Sequence, residues 1–186
     1  MYKDSSLKQY LDDLAAKLPA PGGGSAAALT AALGQALASM VINFTLGKPK
    51  YSEFQEDLVL DLEKSERLRQ EFLDLVDRDV EAYSSKDPRK ALDIPIMVAR
   101  LCFEGIKILP ELVHKGNVNL ISDVAVAAQL LESAFSAAVI NVEINLKSID
   151  DEKLTKELRK ELTEKTKLVS KIRQDTEVRV GKIIRG

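Results

Sequence analysis

Pro21-Gly22-Gly23-Gly24-Ser25-Ala26-Ala27-Ala28 lies within a run without any ionisable side chain that extends from Leu18 to Gly47. Glycine loses more backbone freedom on folding than any other residue. Three in a row therefore mark a place where the chain bends sharply or approaches another group closely. The following residues, Ser25 to Leu46, are mostly Ala, Leu, Met and Val, and predict a helix. A glycine turn feeding a helix start presents unpaired N–H groups and the positive end of the helix dipole. Such a place holds an anion or a carboxylate. It is not a nucleotide P-loop, because Ser25-Ala26 stands where that motif requires Lys. A tight turn that allows close helix packing is the plainer alternative.

The uncharged run is long enough to raise the question of a membrane span. Its first part, however, holds Pro19, Pro21 and the three glycines, and its helical part carries Thr30, Gln35, Ser39 and Asn43. An Ala-rich helix with small polar residues suits close helix contact in a protein core, so no membrane partner is expected. The 186 residues are enough for one well-buried core and predict a single domain, 1–186. Charged residues make up 30% and nearly cancel to −2, which leaves no long-range field for nucleic acid. Cys102 is alone, so no internal disulfide is possible. Met1-Tyr2-Lys3-Asp4 begins no basic-then-apolar leader, and the expected location is cytoplasmic.

No strand-like alternation is sustained anywhere, so the expected fold class is all-α: a bundle of about six helices around a buried Ala-rich one. Leu7, Leu11, Leu14 and Leu18 predict a short amphipathic first helix, stopped by Pro19 and Pro21. The Ala-rich helix follows and closes at Gly47 and Pro49. A third helix is predicted over about 52–85, with Phe54, Leu58, Leu62, Leu68, Phe72, Val76 and Tyr83 on one face. After Asp87-Pro88 a fourth begins, with Asp93 as its cap, Pro95 in its first turn, a kink at Pro110 and an end at Gly116. Asn117 to Asp123 reads as a polar loop, handing over through Ser122 or Asp123 to a fifth helix, 124–146, apolar almost all round. The last helix, after Asp150-Asp151, carries Leu154, Leu158, Leu162, Val169, Ile172, Thr176 and Ile183 at coiled-coil-like spacing. Two nearly all-apolar helices are hard to bury in one small subunit, which predicts a homodimer or a larger symmetric assembly.

Asp79 is the leading candidate for chemistry. Phe72, Val76, Asp79 and Tyr83 follow at spacings of four, three and four, which places the carboxylate on the apolar face, with Asp77 and Glu81 off it. Burial would raise its pKa and suit it to acid/base work near neutral pH. A structural ion pair with a cation on another helix is an equally weighted alternative. Arg100, Glu104 and Lys107 read as a solvated face, and Cys102 as a core thiol. His114 has no second His and no neighbouring Cys, so no metal site is expected. Asn117, Asn119 and Asp123 are turn formers that could also serve as fixed donors and acceptors for a polar heterocycle.

Four segments in order resemble the cyclodeaminase/cyclohydrolase family of folate enzymes. They are Pro21 to Ala28 with Gly34, Ala38 and Met40-Val41; Thr45-Leu46-Gly47-Lys48; Asp79-Val80-Glu81-Ala82-Tyr83; and Gly116 to Asp123 followed by Asn141-Val142 and Ile144-Asn145-Leu146. The resemblance covers nearly the whole chain and implies an all-α dimer that binds a reduced folate, with no cofactor beyond that substrate. By the same resemblance Asp79 is the acid/base residue. Gly22, Gly23, Gly24 and Ser25 would place the folate, Lys48 would meet a glutamyl carboxylate, and Asn117, Asn119 and Asp123 would orient the ring system. One departure stands out: Ser84-Ser85-Lys86-Asp87-Pro88 is shorter than the family's corresponding stretch and lacks its Leu-Pro-Lys element, leaving Lys86 as the candidate replacement.

The implied reactions both act on one carbon held between two folate nitrogens. In cyclohydrolase chemistry water attacks the methenyl carbon and one C–N bond opens. In cyclodeaminase chemistry a folate nitrogen attacks the formimino carbon and ammonia leaves. Each needs a tetrahedral intermediate and a proton shuttle. The competing expectation is a non-catalytic helical module for folate binding or assembly.

Overall fold

The computed structural model describes all residues, 1–186, as seven α-helices and three short 3-10 turns without a strand. The helices are α1 (Leu7–Ala15), α2 (Gly23–Asn43), α3 (Gln55–Ser85), α4 (Pro88–Ile106), α5 (Leu109–Lys115), α6 (Ile121–Leu146) and α7 (Glu152–Arg185). The seventh arises at Pro110. There the chain does not kink within one helix. It breaks after Ile106 and restarts as α5, with Pro110 in the first turn, where its missing N–H costs nothing.

Other boundaries also differ from expectation. Asp87, not Asp93, caps α4, accepting the Arg89 N–H at 2.9 Å, with Pro88 pre-organised at the first helical position. Pro95 consequently lies inside the helix rather than in its first turn. Gly116 follows α5 with an extended backbone (φ −82°, ψ 162°) and not the left-handed one. Asn117 to Leu120 forms a 3-10 turn capped by the Asn117 side chain, so α6 starts without a side-chain cap from Ser122 or Asp123.

α2 is the axis of the fold. It packs most extensively on α6 and α3, both antiparallel to it: its first turn meets Asn141 and Asp79, and its far end meets Asn117. Close approach to α6 depends on Gly34, where a Cβ would stand 3.2 Å from the Ala127 carbonyl oxygen. Ala27, Ala28, Ala31, Ala32 and Ala38 are buried along the same helix. Against α3 the contact is partly polar: Gln35 Nε2 donates to Ser65 Oγ at 2.7 Å, and the Ser39 hydroxyl lies 2.7 Å from the same oxygen. α2 and α6 are each long and apolar enough to cross a membrane, but most of α2 is covered by its neighbours.

α7 lies along α6 through Leu158, Leu162, Val169, Thr176 and Val180, its start capped by Asp151. Ile183 stays exposed. Arg100 does not pair along its own helix. It reaches Glu161 of α7 with two hydrogen bonds of 2.9 and 2.7 Å, while Lys107 pairs with Glu104. Cys102 is fully buried in this core, and burial pushes its thiol pKa well up.

Two faces contradict the sequence pattern. On α1 two leucines of the stripe look outward, Leu7 70% and Leu11 59% exposed, while Leu14 packs partly on the core and Tyr10 is the buried residue. On α6 the apolar circumference is not fully covered: Val126, Ile140 and Ile144 are exposed.

Candidate active site

The start of α2 and the end of α3 meet at one carboxylate. Ser25 N–H donates to Asp79 Oδ2 at 2.9 Å, satisfying one of the orphan donors of the α2 first turn. The fit is tight at Gly24: a Cβ there would lie 2.1 Å from Asp79 Oδ1, so only glycine leaves room for the carboxylate. Asp79 is half-buried and takes part in no ion pair, which removes the alternative of a structural pairing with a cation. Burial raises its pKa above the ordinary carboxylate range, with the Ser25 N–H opposing the shift. Gly23 and Gly24 keep backbone N–H groups with no acceptor in the chain, at the positive end of the α2 dipole.

A second tier fixes this corner. Ser25 is fully buried, and its hydroxyl lies 3.2 Å from the Tyr10 hydroxyl. Its side chain therefore faces the core, not the cavity, and Ser25 holds Asp79 through its backbone. Tyr2 packs edge-on against Tyr10, with centroids 5.4 Å apart. The N-terminal turn is pinned in turn by Asp77, whose carboxylate accepts the Tyr2 N–H at 2.6 Å. Asp77 is thus buried rather than off the packed face, because the first residues fold over it.

Asp79 opens into a cavity of about 250 Å³ lined by Pro19, Gly22, Gly23, Gly24, Tyr83, Ala91, Asn141 and Asn145. A larger cavity of about 600 Å³ shares Pro19, Tyr83, Ala91 and Asn145 with it and adds Ser84, Lys86, Asp87 and Ser148. Tyr83 does not pack into the core with Phe72 and Val76. It is 60% exposed and stands where the two cavities meet.

Asn141 and Asn145 are functional candidates that the sequence argument assigned no role. They face the cavity one helical turn apart, with amides anchored by Ala137 O (2.9 Å) and Ala91 O (2.7 Å). The available signal was two Asn at i,i+4, Asn141 and Asn145, within the segment that carries the family resemblance.

The remaining predicted residues are elsewhere. Lys48, Asn117, Asn119 and Asp123 lie at the opposite end of α2, which is 21 residues long. Such a helix spans ~30 Å, so within one chain these residues and Asp79 cannot hold the same small molecule. Asn117 is buried there and structural: its N–H donates to Thr45 Oγ1 at 2.8 Å and its side chain caps the following turn.

The profile of the formiminotransferase-cyclodeaminase family matches residues 6–86 and 85–164. The chain belongs to that family. A methenyltetrahydrofolate cyclohydrolase of Methylorubrum extorquens is 37% identical over 87% of this chain and 89% of its own length. The formimidoyltransferase-cyclodeaminase of Mus musculus is 33% identical over 80% of this chain, but the match spans only 32% of that longer protein. The formiminotetrahydrofolate cyclodeaminase crystal structure from Thermotoga maritima superposes with a TM-score of 0.93, covering 99% of this chain and 100% of that one at 31% identity. The formiminotransferase-cyclodeaminase family thus accounts for this helical arrangement along its full length.

Proposed function

We propose that this protein is a tetrahydrofolate one-carbon enzyme, acting on methenyltetrahydrofolate as a cyclohydrolase or on formiminotetrahydrofolate as a cyclodeaminase. The observation that carries the reading is Asp79: a carboxylate with a raised pKa, held by one backbone N–H, unpaired, and open to a cavity. In the hydrolytic direction Asp79 takes a proton from water as its oxygen bonds to the methenyl carbon. The tetrahedral intermediate then collapses as its hydroxyl proton passes to solvent: the C=O forms, one C–N bond breaks, and the departing nitrogen receives the proton held by Asp79. In the deaminating direction the same group takes the proton from the attacking folate nitrogen and delivers it to ammonia. The carbon keeps its oxidation level in both directions, so the chemistry is proton transfer without a change of redox state. The free N–H groups of Gly23 and Gly24 supply donors for charge that develops at the reacting centre.

The methenyl chromophore separates the two activities. Its absorbance falls when methenyltetrahydrofolate is hydrolysed and rises when formiminotetrahydrofolate is cyclised, so parallel assays read both. The similarity in length and sequence to the M. extorquens cyclohydrolase favours the first. Binding of a reduced folate without turnover of either substrate would leave the non-catalytic module as the better description.

The proposal includes a homodimer. Leu33 of α2, Phe44 just after it, and Ile140 and Ile144 of α6 are exposed apolar side chains on two neighbouring antiparallel helices, which a second copy would cover. A copy packed antiparallel across it would carry its own Lys48 end toward the Asp79 end of the first, the one route by which Lys48, Asn117 and Asn119 could join the site. Sedimentation equilibrium should give the mass of two chains for the wild type and of one for Ile140→Asp.

A further inference from the structure

α3 presents Asp79, Tyr83 and Lys86 at i, i+4 and i+7. The first step advances ~6 Å along the axis and returns to within roughly 40° of the same direction, and Lys86 follows just beyond Ser85 as the C-terminal cap of the helix. The three residues form a ladder along the paired cavities, Asp79 lining the smaller, Lys86 the larger and Tyr83 both.

Each rung has an unusual feature. Tyr83 is an exposed aromatic ring at the junction. Lys86 closes α3 in the left-handed conformation (φ 55°), the only non-glycine residue with a positive φ. Its ammonium enters no ion pair. The adjacent Asp87, which also lines the larger cavity, engages its carboxylate in capping α4, accepting from Arg89 and Lys90. A free cation thus stands two helical turns beyond the acid/base group, with an aromatic face between them.

We propose that the larger cavity is a subsite for the aminobenzoyl-glutamate arm of the substrate, with the aminobenzoyl ring against Tyr83 and a glutamyl carboxylate at Lys86. The inference rests on the reading that the one-carbon unit sits at Asp79. In a folate the bridging carbon, the benzene ring and the glutamyl carboxylates follow in that order along one extended arm, matching carboxylate, aromatic and cation on α3. Lys48, the cation first assigned to the glutamyl end, is separated from Asp79 by the length of α2. It can serve only from a second copy.

The test compares methenyltetrahydrofolate with methenyltetrahydropteroate, which keeps the reacting carbon and the ring but lacks the glutamate. Wild-type protein should show the lower KM for the glutamylated substrate. Lys86→Gln should raise that KM about 10-fold, the low end for losing a charge-assisted hydrogen bond, and leave the KM for the pteroate at its wild-type value. Lys86→Asn, which tolerates the left-handed backbone better, should behave the same way and separates charge from strain. An equal change for both substrates, no change for either, or a glutamate-specific loss in Lys48→Gln instead would overturn the assignment. Wild-type protein that turns over neither substrate and also fails to cyclise formiminotetrahydrofolate would overturn the folate reading itself, and the subsite with it.

Discussion

Asp79→Asn should lower kcat by ~10²–10⁴-fold, the usual contribution of a positioned acid/base group. The amide keeps an oxygen to accept the Ser25 N–H, so the corner at Gly24 and the affinity for a reduced folate should survive. Stability should move the other way. A carboxylate whose folded pKa is raised favours the folded state most while it is protonated. That contribution is lost as pH rises from the unfolded pKa through the folded one. At neutral pH the ionised Asp79 therefore costs stability, and the neutral Asn should raise Tm slightly while flattening its decline above the ordinary carboxylate range. In the wild type, the acidic limb of kcat/KM for a base-catalysed reaction should lie above that range too. Wild-type turnover by Asp79→Asn, measured by methenyl absorbance, would remove this residue from the mechanism.

Gly24→Ala should be nearly as damaging to turnover, for a steric reason. The added methyl would lie 2.1 Å from Asp79 Oδ1 and 2.7 Å from its Cγ, so either the carboxylate rotates away or the start of α2 shifts. Both break the Ser25 N–H contact and displace the acid/base group. Displacement by even an ångström costs about 10²-fold when geometry is what the site supplies. The clashing atoms all belong to one half-buried side chain that can rotate aside, so the loss should fall on turnover with only a small change in Tm. The neighbouring glycines provide the contrast. At Gly22 a Cβ meets nothing within 4 Å, and at Gly23 it makes an ordinary 3.5 Å contact with Asn141. Gly22→Ala should therefore be close to wild type in kcat and Tm. Equal losses at Gly22 and Gly24 would point to backbone freedom and away from the carboxylate contact.

The contrast among these glycines shows where the sequence is legible. Three glycines before an Ala-rich run announce a turn into a closely packed helix, but spacing along one segment does not say which glycine faces which neighbour. Asp79 could be found because a carboxylate in register with Phe72 and Val76 is unusual for an apolar helix face. Asp77 and Tyr83 were misplaced by the same periodicity. The N-terminal turn folds over Asp77, and a cavity opens beside Tyr83, and neither event leaves a mark on the local pattern. The leucines of α1 misled in the opposite direction: their spacing reports an apolar stripe truthfully, yet in the single chain only Leu14 of it packs on the core while Leu7, Leu11 and Leu18 are exposed.

The all-helical class, the hydrophobic central segments and the one suspicious carboxylate were determined by the sequence alone, because periodicity, breakers and a charge out of place are local properties. The tertiary structure alone decided that the candidate residues form two groups at opposite ends of α2. Helix direction and length, set by antiparallel packing of α3 and α6, convert neighbours in a motif list into groups ~30 Å apart. The same packing brings Asn141 and Asn145, more than a hundred residues later in the chain, to the glycine turn. Which residues share a cavity depends on where helices cross, and crossing is a property of surfaces that meet only once the chain has folded.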